Sequence, residues 1–225
     1  LKNNKKSVSL KLIEEFQKEI LYEDKNYLIV NKRSGISVHG GTKNFIGIID
    51  IFRNIYGPEI DLCHRLDKYT SGCLVLAKNK QSVKHFNILL KKREIEKIYL
   101  TIVKGNLIKN QTVNIPLYKK NKMKSKESIS TFKKVKNLKG CSLVKVKIFT
   151  GRTHQIRLHA SLIHHPIIFD DKYGDRSFNN KLSKKFKRKI ALHSQEIKFK
   201  DQHSKKITVK CKNPEHIDSY IELLR

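Results

Sequence analysis

The stretch DLCHRLDKYTSGCLVLA, residues 61–77, ends in five apolar residues, a run of strand length that suits burial on both faces. Ahead of that run lies a polar loop, residues 64–72, holding two cations beside one acid and closing on Gly72. On either side the apolar residues fall at helical spacing. Ile48, Ile49, Phe52 and Ile55 predict a helix over 45–56 that Gly57-Pro58 stops, and Val83, Phe86, Leu89 and Leu90 predict another over 81–93. A polar loop between two helices, next to a buried strand, is a place where a side chain can be held rigidly and still meet a ligand.

Working outward, residues 19–22 and 27–31 read as strands around the turn Asp24-Lys25-Asn26, preceded by a short helix or linker at 7–18. The loop 32–42 gains backbone freedom from Gly35, Gly40 and Gly41 but matches no phosphate-binding pattern. The second half is rich in strands, over 98–103, 112–117, 128–135, 142–149, 190–200 and 206–211. Between them a helix is expected over 153–164, with Ile156, Ala160 and Ile163 on one face and Thr153 as its cap. Asn213-Pro214-Glu215 predicts a last helix capped by Asn213. The fold class is α+β, a single domain around a largely antiparallel mixed sheet with flanking helices.

The 225 residues include 49 basic and 20 acidic side chains, a formal charge of +29 spread along the chain. A polyanion is the expected partner. A genome biased toward AT would also enrich Lys, so the charge alone leaves both readings open. The arginines say more: Arg65, Arg152 and Arg157 crowd into two short segments of a chain that otherwise uses Lys, as positions needing a planar, two-pronged donor would. Cys63, Cys73, Cys141 and Cys211 lie far apart without zinc-site spacing, which predicts free thiols in a reducing compartment. No stretch has the roughly 20 apolar residues of a membrane span. A cytoplasmic setting is expected.

Three segments could carry chemistry. In HRLDKYTSG, residues 64–72, Asp67 is either a carboxylate offered to a ligand or a turn cap among solvated neighbours. In TGRTHQIRLH, residues 150–159, Arg152 and Arg157 belong to a phosphate-binding helix face or to a merely solvated one. The histidines there lack the H-E-x-x-H spacing of a metal site. In EKIYL, residues 96–100, Tyr99 is a core aromatic with its hydroxyl at the rim, of interest only beside the other two.

Together, HRLDKYTSG, KIY and GRTHQIRLHA occur in the order and approximate separations of the RluA family of pseudouridine synthases, which the chain closely resembles from residue 19 onward. Val38-His39-Gly40-Gly41 and FDDKYGDR, residues 169–176, look most like the RluC branch, whose members modify large-subunit ribosomal RNA. The resemblance implies isomerisation of uridine to pseudouridine after the base leaves the RNA helix, with no cofactor and no metal, by a monomer acting on ribosomal RNA away from any membrane. It implies that Asp67 is the essential carboxylate, that Tyr99 stacks on the target base, and that Arg157 pairs with Asp67 through a two-pronged contact. It further implies that Arg65 fills the vacated stack and that His64, Arg152, His154 and Gln155 contact the substrate.

One departure is Arg33, where many relatives have Pro. The branch also carries an S4-like RNA-binding domain ahead of the catalytic one. Since the sequence begins with Leu1, residues 1–18 are expected to be a linker or the remnant of a lost N-terminal domain, and 19–225 the catalytic domain. Two rivals stand against this reading. A noncatalytic RNA-binding protein leaves Asp67 unexplained, and a metal-dependent nuclease would need clustered carboxylates that the chain lacks.

Overall fold

The computed structural model describes residues 8–40, 46–118, 125–184 and 186–225. Gly41 and the expected helical start at Phe45 lie outside them, as do residues 1–7. In chain order the elements are α1 (Leu10–Gln17), β1 (Ile20–Glu23), β2 (Tyr27–Lys32), α2 (Ile48–Tyr56), β3 (Asp61–Leu62), β4 (Ser71–Ala77), α3 (Lys80–Lys92), β5 (Glu96–Lys104) and β6 (Gln111–Asn114). There follow β7 (Leu117–Tyr118), β8 (Ser125–Lys126), β9 (Ile129–Leu138), β10 (Cys141–Ile148), α4 (Gln155–Leu162), α5 (Arg176–Ser183), β11 (Leu192–Lys200), β12 (Lys206–Lys210) and α6 (Glu215–Leu223).

A 10-stranded sheet runs β1-β2-β4-β11-β5-β10-β9-β6, with β3 also on β4 and β12 also on β11, while β7 and β8 pair apart. Among the described residues every pairing in this sheet is antiparallel except β4 with β11. All seven residues of β4 are buried, as the apolar run predicts. Side chains alternate across it. Leu74 and Leu76 join Phe16, Ile48, Ile51 and Phe52 of α1 and α2 in one apolar cluster, and Cys73, Val75 and Ala77 join Phe86 and Leu89 of α3 in another. Each fully buried side chain of this kind contributes about 1.5–3 kcal/mol.

At the parallel junction His193 faces Ser71 and Ser194 faces Gly72. Gly72 has φ +106°, and a Cβ there would run into the Ser194 carbonyl, so only glycine lets the strands close at this point. The junction sets the end of the 64–72 loop. Arg33, the departure from the family pattern, has a structural use: its guanidinium meets Glu19 at 2.7 Å and Glu15 at 3.2 Å, tying the loop after β2 to α1.

Several local expectations are corrected. The strand expected over 112–117 is split, because Pro116 has no N–H for a ladder, into β6 and the separate β7. Thr153 does not cap α4: His154 occupies the cap with left-handed φ 55° and no side-chain hydrogen bond. Asn213 does not cap α6 either; Pro214 does, while Asn213 donates to Asp218 and accepts from Gln195. Helix α5 has few apolar residues to betray it, and its cap is Asp175, which accepts from the Phe178 N–H. All four cysteines are buried and free. Among the described residues no helix is long and apolar enough to cross a membrane.

Candidate active site

The 64–72 loop is fastened from below. Lys32, wholly buried, donates through Nζ to the carbonyls of Arg33, Ile36 and Lys68 at 2.8–2.9 Å. Burial pulls its amine down to about 7, against the opposing pull of Asp67. Gly35 N–H also donates to Lys68 O, Ser34 Oγ to Tyr69 O, and Thr70 N–H to Asp67 O. Asp67 therefore rides on a loop whose backbone is held on both sides.

The pocket above this loop is lined by every expected site residue except one. His64 is turned inward: its Nε2 accepts from the Val75 N–H at 3.1 Å and its ring stacks on Phe86. Burial, with Lys97 adding to it, lowers the imidazole to about 3, so His64 is a neutral acceptor bracing β4 and does not contact the pocket. Gln155 does line the pocket, yet its amide is fully engaged by the protein. It accepts from Thr150 Oγ and the Arg152 N–H and donates to Ile129 O and Ser130 Oγ, fixing the 150–154 loop against β9. The Gln155 amide is thus spent within the fold, and His64 Nε2 is spent on β4.

Arg157 differs from expectation in its partner. Its Nε and Nη2 grip Asp170 at 2.7 and 2.8 Å, and only Nη1 looks toward Asp67, 3.6 Å from Oδ2. The reason is burial: the Asp170 side chain is 1% exposed and must have its oxygens satisfied, while that of Asp67 is 20% exposed. Burial works against the charge of Asp170, but the Arg157 fork and the N–H groups of Tyr173 and Lys172 outweigh it and hold the carboxyl below its ordinary value. Tyr173 stands beside both groups that face Asp67, its ring 5.2 Å from the Arg157 guanidinium carbon and its hydroxyl 3.1 Å from His154 Nδ1.

His154 Nε2 is 3.8 Å from Asp67 Oδ2. Burial holds this imidazole below its ordinary value although Asp67 pulls the other way. Tyr99, 6% exposed on β5, forms the apolar wall, and burial pushes its phenol upward. Arg65 is exposed beside the pocket, and Arg152 is exposed with Nε on the Glu127 carbonyl. The result is a carboxylate facing two nitrogen groups at more than hydrogen-bond distance, against one aromatic wall. Such a carboxylate is restrained but free to react. Lys32, Asp170 and Tyr173 are the residues the motifs did not assign. An acid directly after the apolar run Ile167-Ile168-Phe169 was the signal for Asp170, because a carboxylate entering a core needs a partner. Among the described residues no group of three or more His, Cys, Asp or Glu is placed to hold a metal ion.

The family model described as RNA pseudouridylate synthase matches residues 26–162. The chain belongs to that family. Ribosomal large subunit pseudouridine synthase C of Pasteurella multocida is 35% identical over 207 residues, covering 86% of this chain and 63% of that protein. The protein of that name from Vibrio cholerae is 32% identical over 231 residues, covering 97% of this chain and 73% of its own. These relatives agree with the RluC-like motifs. The chain spans less than two thirds of the length of the Pasteurella protein and of the Vibrio vulnificus one, 63% and 64%. The pseudouridylate synthase fold is matched by solved structures: human RNA pseudouridylate synthase domain containing 4 superposes with TM-score 0.79 at 23% identity over 95% of each chain. Human RNA pseudouridylate synthase domain containing 1 gives 0.74 at 23% identity, covering 87% of this chain and 83% of that one.

Proposed function

We propose that this chain isomerises uridine to pseudouridine in RNA, with large-subunit ribosomal RNA as its substrate and Asp67 as its catalytic carboxylate. The observation that carries this is Asp67 itself, held on a fastened loop with Oδ2 facing Arg157 and His154 and no fork closing over it. The target uridine leaves its helix, at a cost of a few kcal/mol, and enters the pocket against Tyr99. Asp67 then acts on the nucleotide to free the base from C1′, the ring turns against the Tyr99 wall, and C5 bonds to C1′ with loss of its proton. Arg157 balances the charge that moves on and off Asp67, with His154 beside it, and Arg65 fills the space that the base vacates. Arg152 meets the RNA backbone. Residues 19–225 act as the catalytic domain, in the cytoplasm where the substrate lies.

Because C5 loses its hydrogen, the reaction is read directly by tritium release from RNA labelled at C5 of uridine. Wild-type protein is expected to release tritium from large-subunit ribosomal RNA. Asp67→Asn, which removes a charge and almost no volume, is expected to release none while keeping its melting temperature and its RNA affinity. Turnover by Asp67→Asn, or an inert wild type on that RNA, would overturn the proposal.

A further inference from the structure

Strand alternation puts Lys97 two residues ahead of Tyr99 on the same face of β5. Tyr99 forms the pocket wall on that face, and Lys97 lies next to it beneath the loop at Gly151. Lys97 is 5% exposed, and its neighbours across the sheet, Ile148 and Ile197, are apolar. Lys32, the other buried lysine, has three carbonyls. Among the described residues the Lys97 ammonium has neither a carboxylate nor a hydrogen-bond acceptor. A Cβ on Gly151 would stand 3.7 Å from its Nζ, so the amine lies just beneath an exposed segment of loop.

The next residue in that loop is Arg152, which also lacks a carboxylate partner among the described residues and uses Nε on a carbonyl. Burial first, and then the charge of Arg152, pull Lys97 down to about 8. Two cations set together without an anion oppose the folded state, and an unpaired ammonium with little water around it opposes it further. An anion bridging them would reverse both effects. The surface beyond Gly151 and Arg152 continues toward Tyr118 and Lys126, adding another positive charge along the way out of the pocket.

We infer that Lys97 Nζ and the Arg152 guanidinium together bind one phosphate of the RNA backbone, the one flanking the nucleotide whose base enters the pocket. The inference rests on the proposed RNA substrate and assigns Lys97 a binding role beside the reacting groups. A phosphate suits the pair better than a uracil oxygen because Nζ lies under the exposed loop and Arg152 presents a planar donor there. Such a contact holds the strand in its everted shape without reading sequence.

The test measures binding of a large-subunit ribosomal RNA fragment by wild type, Lys97→Met and Lys97→Arg across a salt series, with tritium release followed on the same RNA. Lys97→Met is expected to bind about tenfold more weakly at low salt, and its log–log salt slope to fall by about 0.9, the loss of one phosphate contact. Lys97→Arg is expected to keep most of both. The free Lys97→Met protein should melt no lower than wild type, since an unpaired and largely desolvated charge is gone. Unchanged affinity and slope, a slower rate at saturating RNA with wild-type binding, or a marked drop in melting temperature would each overturn the phosphate site. Binding slopes are read without catalysis, so a wild type that binds RNA with the expected slope but forms no pseudouridine would sink the proposed function alone.

Discussion

Asp170 stands behind the pocket and fixes Arg157, which in turn faces Asp67. Asp170→Asn removes the charge that the guanidinium was buried against, a change expected to cost about 3–5 kcal/mol of stability and to lower tritium release as well. Arg157→Lys keeps the charge but cannot fork onto Asp170; losing about 1–3 kcal/mol of charge-assisted bonding is expected in stability, with a lower rate because the cation facing Asp67 is no longer held in place. The two substitutions break one unit, so the double variant should lose less than the sum. Thermal melts and single-turnover rates of the three variants check this. The pH dependence has a definite sign. The folded value of Asp170 lies below its ordinary 3.8, so its contribution is complete above that value and is lost as pH falls through the depressed one. Wild-type and Asp170→Asn stabilities should therefore converge in acid, and a gap that widened there would contradict the assignment.

At the scale of elements, the junction of β4 with β11 decides where the catalytic loop ends. Gly72→Ala would place a methyl group against the Ser194 carbonyl at a backbone angle that L residues rarely adopt. The expected loss is at least about 2 kcal/mol, with activity falling further because Asp67 shifts with the loop. Denaturant titration beside tritium release measures both. A variant as stable and active as wild type would mean that the strands can part here without moving the site. The helices around this junction were legible because Phe52, Phe86 and their neighbours fall at regular spacing. Helix α5 was not, since its cap at Asp175 is the main local sign of it.

Over the whole molecule, the charge of +29 governs how RNA is met. If six to ten phosphates are engaged, affinity should fall by about 10³- to 10⁵-fold between roughly 50 and 200 mM salt. Filter binding on ribosomal RNA fragments and on unrelated RNA should give similar slopes, because phosphate contacts carry little sequence information. A salt-independent affinity would mean that the charge is spread over faces the RNA does not touch.

The sequence by itself determined the α+β class, the buried central strand and the three motifs, because periodicity and short spacing fix which neighbours share a face. It also marked Asp67, Tyr99 and Arg157 as parts of one site through their likeness to a family. Only the tertiary structure decided what each side chain meets. Arg157 is 13 residues from Asp170 in the chain, and the fork went to that acid because a side chain 1% exposed cannot borrow water, whereas Asp67 can. His64 and Gln155 belong to the same motifs and were turned to bracing the fold, since Val75 N–H and the 150–154 loop needed partners inside. Desolvation makes such choices, and it depends on which surfaces come together in space, a property that no local spacing records.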